Sequence, residues 1–354
     1  MAWAPCSNVR AEIDEQNPLA AFGSYSATRR NAVGGRGNAG RGAVAARPGR
    51  DGRIGLHVDR ARAAGQAAFR QHGGIGRPMA PIAASRPLLF GIVNLTADSF
   101  SDGGRFLDPA AALAHARALV AGGADVVDLG AAASNIDAAA VPVEEEIRRL
   151  DPLLSALKSE GVAVSVDSFA PAVQRFAIAR GADFLNDIQG FPEPALYPDL
   201  AAAGCRLIVM HAVQGRGRAQ RLDLSADEVW DHIVAFFAER IAALERAGVA
   251  RERLAIDPGM GFFLSSRPEV SFRVLNRLGE LKKIFGLPVM VSVSRKSFLR
   301  AATGRGSPDA LGPATLAAEL YAAEHGADLI RTHDPAALAD GLRVTAALRI
   351  AADS

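Results

Sequence analysis

Two short runs hold the residues best suited to chemistry. Ser294-Arg295-Lys296-Ser297 follows the apolar run Pro288–Val293, and Arg331-Thr332-His333-Asp334 follows the apolar segment Ala327–Ile330. Cations and hydroxyls set directly after buried strands suit an anion. In a (β/α)8 barrel the loops after strands 7 and 8 are the usual phosphate site. Polar residues close the other apolar runs too: Asn94, Asp128, Asp167, Asn186 with Asp187, His211 and Asp257. Taken singly, each reads as a cap or a satisfied core group, and Asp167 stands just before a helix. Gathered on one rim, they read as a binding ring. Carboxylates and carboxamides suit a flat, nitrogen-rich heterocycle whose N–H groups they accept, because a buried carboxylate without a donor is costly. The ring thus suggests acceptors on one side and Lys296, Arg331 and His333 on the other, for a ligand with a heterocyclic end and an anionic end. His211 has no partners at metal-ligand spacing and fits a structural role as well as a functional one. No P-loop, zinc cluster or Ser-His-Asp arrangement is evident.

These residues need a scaffold that brings strand ends together. From Leu88 onward, short β-rich apolar runs alternate with amphipathic stretches, the pattern of βαβ units. The spacing predicts strands at 88–95, 125–130, 162–167, 184–188, 206–211, 253–257, 288–294 and 328–332. It predicts helices at 108–122, 143–161, 170–181, 194–204, 225–248, 268–285, 313–326 and 335–352. Asp108-Pro109 reads as an N-cap with proline at the first helical position, and glycines such as Gly181 and Gly326 punctuate helix ends. Eight units over residues 86–354 match a (β/α)8 TIM barrel. A doubly wound sheet fits less well, since no G-x-G-x-x-G follows the first strand.

The 354 residues are 49% hydrophobic, enough for a large core, and no apolar run reaches the ~18 residues that suggest a membrane span. Two cysteines, Cys6 and Cys205, make no disulfide framework, and a cytoplasmic location is expected. Charge is uneven: residues 1–80 hold 12 Arg, no Lys and 5 acidic residues, while the remainder has 28 basic against 33 acidic. This Gly/Ala/Arg-rich segment lacks periodicity and reads as a disordered extension outside the fold. Neither membrane nor nucleic acid is expected as a partner.

The segment Gly91-Ile-Val-Asn-Leu-Thr-Ala-Asp-Ser-Phe-Ser-Asp-Gly-Gly104 resembles the first signature of the dihydropteroate synthases. Val164–Asp167, Leu185–Ile188, Met210-His211, Ile256–Phe262, Ser294–Ser297 and Arg331–Asp334 resemble the later ones in order. The resemblance implies condensation of 6-hydroxymethyl-7,8-dihydropterin pyrophosphate with p-aminobenzoate, with Mg2+ and a homodimer. It implies that Asp167, Asn186, Met210, Asp257, Phe262 and Lys296 hold the pterin, and that Asn94, Arg331 and His333 hold the pyrophosphate, Asn94 through Mg2+. Phe100, Ser134, Phe262 and Ser297 would meet p-aminobenzoate, and Asp102 belongs to the first loop. Lys296, Arg331, His333 and Asp102 would serve catalysis; the role of Asp128 is left open.

The second loop departs from the family pattern. Gly130-Ala-Ala-Ala-Ser-Asn-Ile-Asp137 lacks the usual arginine and proline, and Phe263-Leu264 stand where a Gly-Lys pair is usual. These features resemble the mobile, sulfonamide-insensitive members of the family. A larger residue at Phe263 is expected to exclude the bulk of a sulfonamide while admitting a planar carboxylate. A pterin-binding methyltransferase barrel and a non-catalytic pterin-binding protein are the alternatives; the anion residues speak against both.

Overall fold

The computed structural model describes residues 86–96, 108–132, 140–215, 217 and 219–352. The expected extension at 1–80 lies outside them, as do Phe100, Asp102 and Ser134. Eight parallel strands run β1 Leu88–Asn94, β2 Val126–Gly130, β3 Ala163–Asp167, β4 Phe184–Asp187, β5 Arg206–Met210, β6 Leu254–Asp257, β7 Met290–Val291 and β8 Leu329–Thr332. They are ordered β6-β5-β4-β3-β2-β1-β8-β7. A parallel bridge between Ile256 and Val289 joins the two outer strands, and Ile256 N–H donates to the Pro288 carbonyl at 2.9 Å. The sheet therefore closes into the barrel that the alternation of the sequence implies.

The surrounding helices are α1 Pro109–Ala121, α2 Val143–Ser159, α3 Pro171–Ala179, α4 Tyr197–Ala202, α5 Ala226–Arg246, α6 Pro268–Asn276, α7 Leu278–Phe285, α8 Ser297–Thr303, α9 Gly312–Glu324 and α10 Pro335–Ala352. Asp108 caps α1 as expected, accepting from the backbone N–H of Ala110 and Ala111. Ser225 and Glu228 close a capping box on α5. No described helix is long and apolar enough to cross a membrane.

The structure departs from the sequence expectation in places, and α8 Ser297–Thr303 is a helix that the spacing does not predict. The single helix at 268–285 is two, broken at Arg277, whose guanidinium lies 3.6 Å from the Trp230 ring centroid. Strand β7 is only Met290–Val291 because the chain beyond it leaves the ladder to place Ser294 beside His333.

Side chains alternate between two environments, as the period of two along a strand requires. Outward residues such as Val93, Leu129, Val166 and Leu207 join the helices in the main core. Inward ones, Phe90, Val126, Ala163, Phe184, Ile208, Ala255, Met290 and Leu329, fill the barrel as a second cluster. That plug closes the lower lumen, so polar residues nearer the strand C-termini sit on an apolar floor.

Candidate active site

The same alternation sorts the rim residues. Asn94, Gly130, Asp167 and Asn186 are neighbours across successive strands, and Met210 pairs with Asp257. Asp167, Asn186, Met210, Asp257, Lys296 and Arg331 line one cavity at the barrel mouth, together with Ile188, Gly259, Met260, Ser292 and Phe263. Asp187 and His211, one residue away from their inward neighbours, face out. Asp187 accepts from Gln174 and from the Gln189 and Phe191 backbone N–H groups, bracing the loop after β4. His211 Nδ1 lies 3.0 Å from the Pro258 carbonyl and its Nε2 lies 2.7 Å from His232 Nδ1. Burial lowers its pKa to about 3, so it is a neutral strut behind the Asp257 turn.

That turn is tight. Gly259 N–H donates to Asp257 Oδ1 at 2.8 Å, and Gly259 has φ +76, with a Cβ there falling 2.6 Å from the His211 carbonyl oxygen. Only glycine fits. Burial raises the Asp257 pKa to about 6, opposed by this bond and by Lys296 and Arg331. Burial lowers Lys296 to about 8, and Arg331 adds to that, while Asp257 and Asp167 oppose it. Lys296 Nζ stands 5.2 Å from the Phe263 ring centroid.

The expected division into an acceptor side and a cation side does not hold. Arg331 lies between two carboxylates, with Nε donating to Asp128 Oδ2 at 2.5 Å and Nη2 to Asp167 Oδ2 at 2.8 Å. Its side chain is 15% exposed and that of Asp128 is 0%. Asp128 thus acquires the role left open in the sequence, that of holding Arg331. Asp167 does not cap a helix: Ala170 stands at the N-cap of α3, without a side-chain cap. Burial raises the Asp167 carboxyl and Arg331 opposes the rise.

His333 corrects a second expectation. Burial holds its pKa well below the usual value, reinforced by Arg295, Arg331 and Lys296, so it adds a neutral imidazole rather than a third cation. Ser294 Oγ lies 2.9 Å from His333 Nδ1 and accepts from the His333 backbone N–H. A hydroxyl donating to Nδ1 leaves the ring proton on Nε2.

Asn186 Oδ1, on the cavity wall, has no hydrogen-bond partner among the described residues, and neither do Asp128 Oδ1 and Ser165 Oγ, which are paired two residues earlier on β2 and β3. Buried orphans of this kind are costly and mark where a ligand donor belongs. A methyl group at Gly130 would lie 3.7 Å from Asp167 Oδ2 and 3.9 Å from Asn94 Oδ1, so these two oxygens flank the bare glycine. Mg2+ keeps several waters and takes one or two protein oxygens beside substrate phosphates. Asn94 Oδ1 suits that mode as a single protein oxygen, whereas Asp167 Oδ2 is already held by Arg331 Nη2; no cluster of three or more His, Cys, Asp or Glu among the described residues could hold a metal by itself.

Phe262 is half-buried at the edge, with the Arg221 guanidinium 5.5 Å from its ring centroid. Phe263, not Phe262, lines the cavity. The sequence gives no sign of which of two adjacent phenylalanines turns inward, since a 3-10 turn at Gly261–Phe263 breaks the strand alternation. Ser297 opens α8 beside Gly261, its Oγ 3.5 Å from where a Gly261 Cβ would be.

A parallel barrel with a polar, part-orphaned mouth at its strand C-termini defines a small-molecule enzyme of the TIM-barrel kind. The family model described as pterin binding enzyme matches residues 90–333. The chain is 59% identical over 262 residues to the type-2 dihydropteroate synthase of Escherichia coli, covering 74% of this chain and 96% of that protein. It is 54% identical over 260 residues to the type-3 enzyme of the same species, covering 73% and 98%. The solved dihydropteroate synthase of Xanthomonas albilineans with 4-aminobenzoic acid matches with a TM-score of 0.68 and 39% identity, over 75% of this chain and 94% of that one. The chain belongs to the dihydropteroate synthases.

Proposed function

We propose that the barrel mouth condenses a dihydropterin diphosphate with p-aminobenzoate, and that it does so in the presence of sulfonamides. The observation that carries the first part is one cavity lined by the unpartnered Asn186 Oδ1 together with Asp257, Lys296 and Arg331. Asn186 and Asp257 accept the N–H groups of the heterocycle, while Met210 and Phe263 cover its faces. Asn94, Arg331 and the His333 N–H take the diphosphate. Loss of diphosphate breaks the C–O bond at the pterin methylene, and both electrons leave with oxygen. The surrounding carboxylates stabilise the cationic pterin that remains, and the cations and N–H donors stabilise the departing anion. The aniline nitrogen then needs placement within bonding range rather than a strong base. Once the new C–N bond has formed, the cationic nitrogen gives its proton to solvent water. Ser297 meets the carboxylate of p-aminobenzoate, with Phe262 against its ring. A Mg2+ ion held at Asn94 would neutralise charge on the leaving group. Phe100, Asp102 and Ser134 lie outside the described residues, and their parts in p-aminobenzoate binding and catalysis rest on the sequence resemblance. Cytoplasmic folate synthesis is the setting.

The sulfonamide reading is supported by the identity to the type-2 and type-3 enzymes, which exceeds that to the Xanthomonas structure. It is also supported by the bulk of Phe263, which turns into the cavity and leaves Phe262 at its outer edge. Exclusion then acts through Phe263, whose bulk shapes the wall on which p-aminobenzoate rests. Purified enzyme should keep p-aminobenzoate turnover at sulfamethoxazole concentrations about 100-fold above the KM for p-aminobenzoate. Half-inhibition near that KM would refute it. A homodimer is favoured by the exposed apolar side chains Val344, Leu348 and Ile350 on α10, and sedimentation at the monomer mass would oppose it.

A further inference from the structure

One arginine outside the cavity spends its bonds on the two strand ends that frame the site. Arg149, on α2, donates from Nη1 to the carbonyl oxygens of Leu95 at 3.1 Å and Ala131 at 3.2 Å, and from Nε to Glu145 Oε1 at 2.7 Å. Leu95 and Ala131 are 2% and 0% exposed. They follow Asn94 and Gly130 directly, and the last rung of the β1–β2 ladder is Leu95 N–H to the Gly130 carbonyl at 2.8 Å. Both carbonyls therefore lie beyond strand pairing, where a buried acceptor still needs a donor. One nitrogen, Nη1, serves both carbonyls while Nε of the same plane binds Glu145, and an ammonium has no second nitrogen to keep both sets of contacts. Glu145 keeps that plane oriented: hydrogen bonds from Arg148 and Arg149 lower its pKa to about 2, so it stays charged.

We propose that Arg149 is a positioning residue for the reaction: by fastening the ends of β1 and β2 to α2, it fixes Asn94 against Gly130 and Asp167 and so sets the diphosphate end of the site. Arg149 touches no substrate. The inference rests on the assignment of Asn94 to the diphosphate. Arg253 supplies a matched control. Its guanidinium also bonds three backbone carbonyls, those of Cys205 at 2.8 Å, Leu200 at 2.9 Å and Ala201 at 3.3 Å. It does so just before β6, at the opposite rim of the barrel.

Steady-state kinetics and thermal unfolding of the full chain test this with Arg149→Met, Arg149→Lys, Arg253→Met, Asn94→Ala and the double variant Asn94→Ala/Arg149→Met. Both methionine variants should melt lower, whereas only Arg149→Met should lose about 30-fold in kcat/KM for the pterin diphosphate, with the p-aminobenzoate KM within about threefold. Arg149→Lys, which keeps charge and folding, should recover part of that loss. The double variant should be no worse than Asn94→Ala by more than about threefold. Equal kinetic losses in Arg149→Met and Arg253→Met, wild-type kinetics in both Arg149 variants, or multiplying losses in the double variant would each overturn the proposal. Wild-type kinetics in Asn94→Ala would overturn the diphosphate assignment and this route with it. An impaired Asn94→Ala beside unimpaired Arg149 variants would overturn Arg149's part alone.

Discussion

Replacing Asp128 by asparagine strikes the contact that organises the mouth. Asp128 is fully buried, and its Oδ2 takes the Arg331 Nε–H at 2.5 Å while Asp167 takes Nη2–H. Removing one partner of a buried ion pair costs about 3–5 kcal/mol, because the other charge is left without its counter-ion. Asparagine can still present an oxygen to Nε, and Asp167 still holds the other edge of the fork, so the lower figure, about 3 kcal/mol, applies. For a barrel of this size each kcal/mol moves the melting temperature by about 2–4 °C, giving a fall of about 6–12 °C. The catalytic loss should be larger in proportion. A guanidinium no longer gripped at Nε swings about Asp167, and misplacement by about 1 Å can cost about 100-fold in rate. Differential scanning fluorimetry and a coupled assay of diphosphate release measure both effects. A melting temperature within about 2 °C of wild type, together with kcat/KM within about threefold, would refute the idea that Asp128 anchors Arg331.

Gly259→Ala should depress pterin binding and stability together, because its Cβ meets the His211 carbonyl at 2.6 Å and its N–H fixes Asp257; calorimetry with a pterin showing wild-type affinity would contradict this. The pH profile of kcat/KM for the pterin substrate should fall on the acid side near about 6, as Asp257 takes a proton, and on the alkaline side near about 8, as Lys296 loses one. These are apparent values of a coupled pair. Because burial raises Asp257, its contribution to stability is full at acid pH and is lost as pH rises through about 6. Asp257→Asn removes that loss, so it should bind pterin poorly and yet gain stability over wild type as pH rises from about 4 to about 6. Thermal melts across that range check the sign.

Much of the scaffold is readable in the chain because short apolar runs and amphipathic stretches alternate without interruption from Leu88. Each of the eight expected strands has a counterpart at nearly its expected bounds, apart from β7. Strand parity was also available to separate Asn186 from Asp187 and Met210 from His211, since adjacent residues face opposite sides. What the chain does not display is pairing across the lumen. Arg331 and Asp128 are 203 residues apart, and nothing local tells whether a rim arginine meets a substrate anion or a protein carboxylate. The neutral state of His333 is hidden in the same way, because it depends first on burial and then on the cations that folding brings near it. The bend after β7 follows from the contact between Ser294 and His333, another product of the closed barrel.

Calorimetric titration of Asp257→Ala with 6-hydroxymethylpterin, set against wild type, tests the account most directly. A cavity in which Asp257 accepts the N–H groups of the heterocycle predicts an affinity loss of about 100-fold. An unchanged affinity would contradict it.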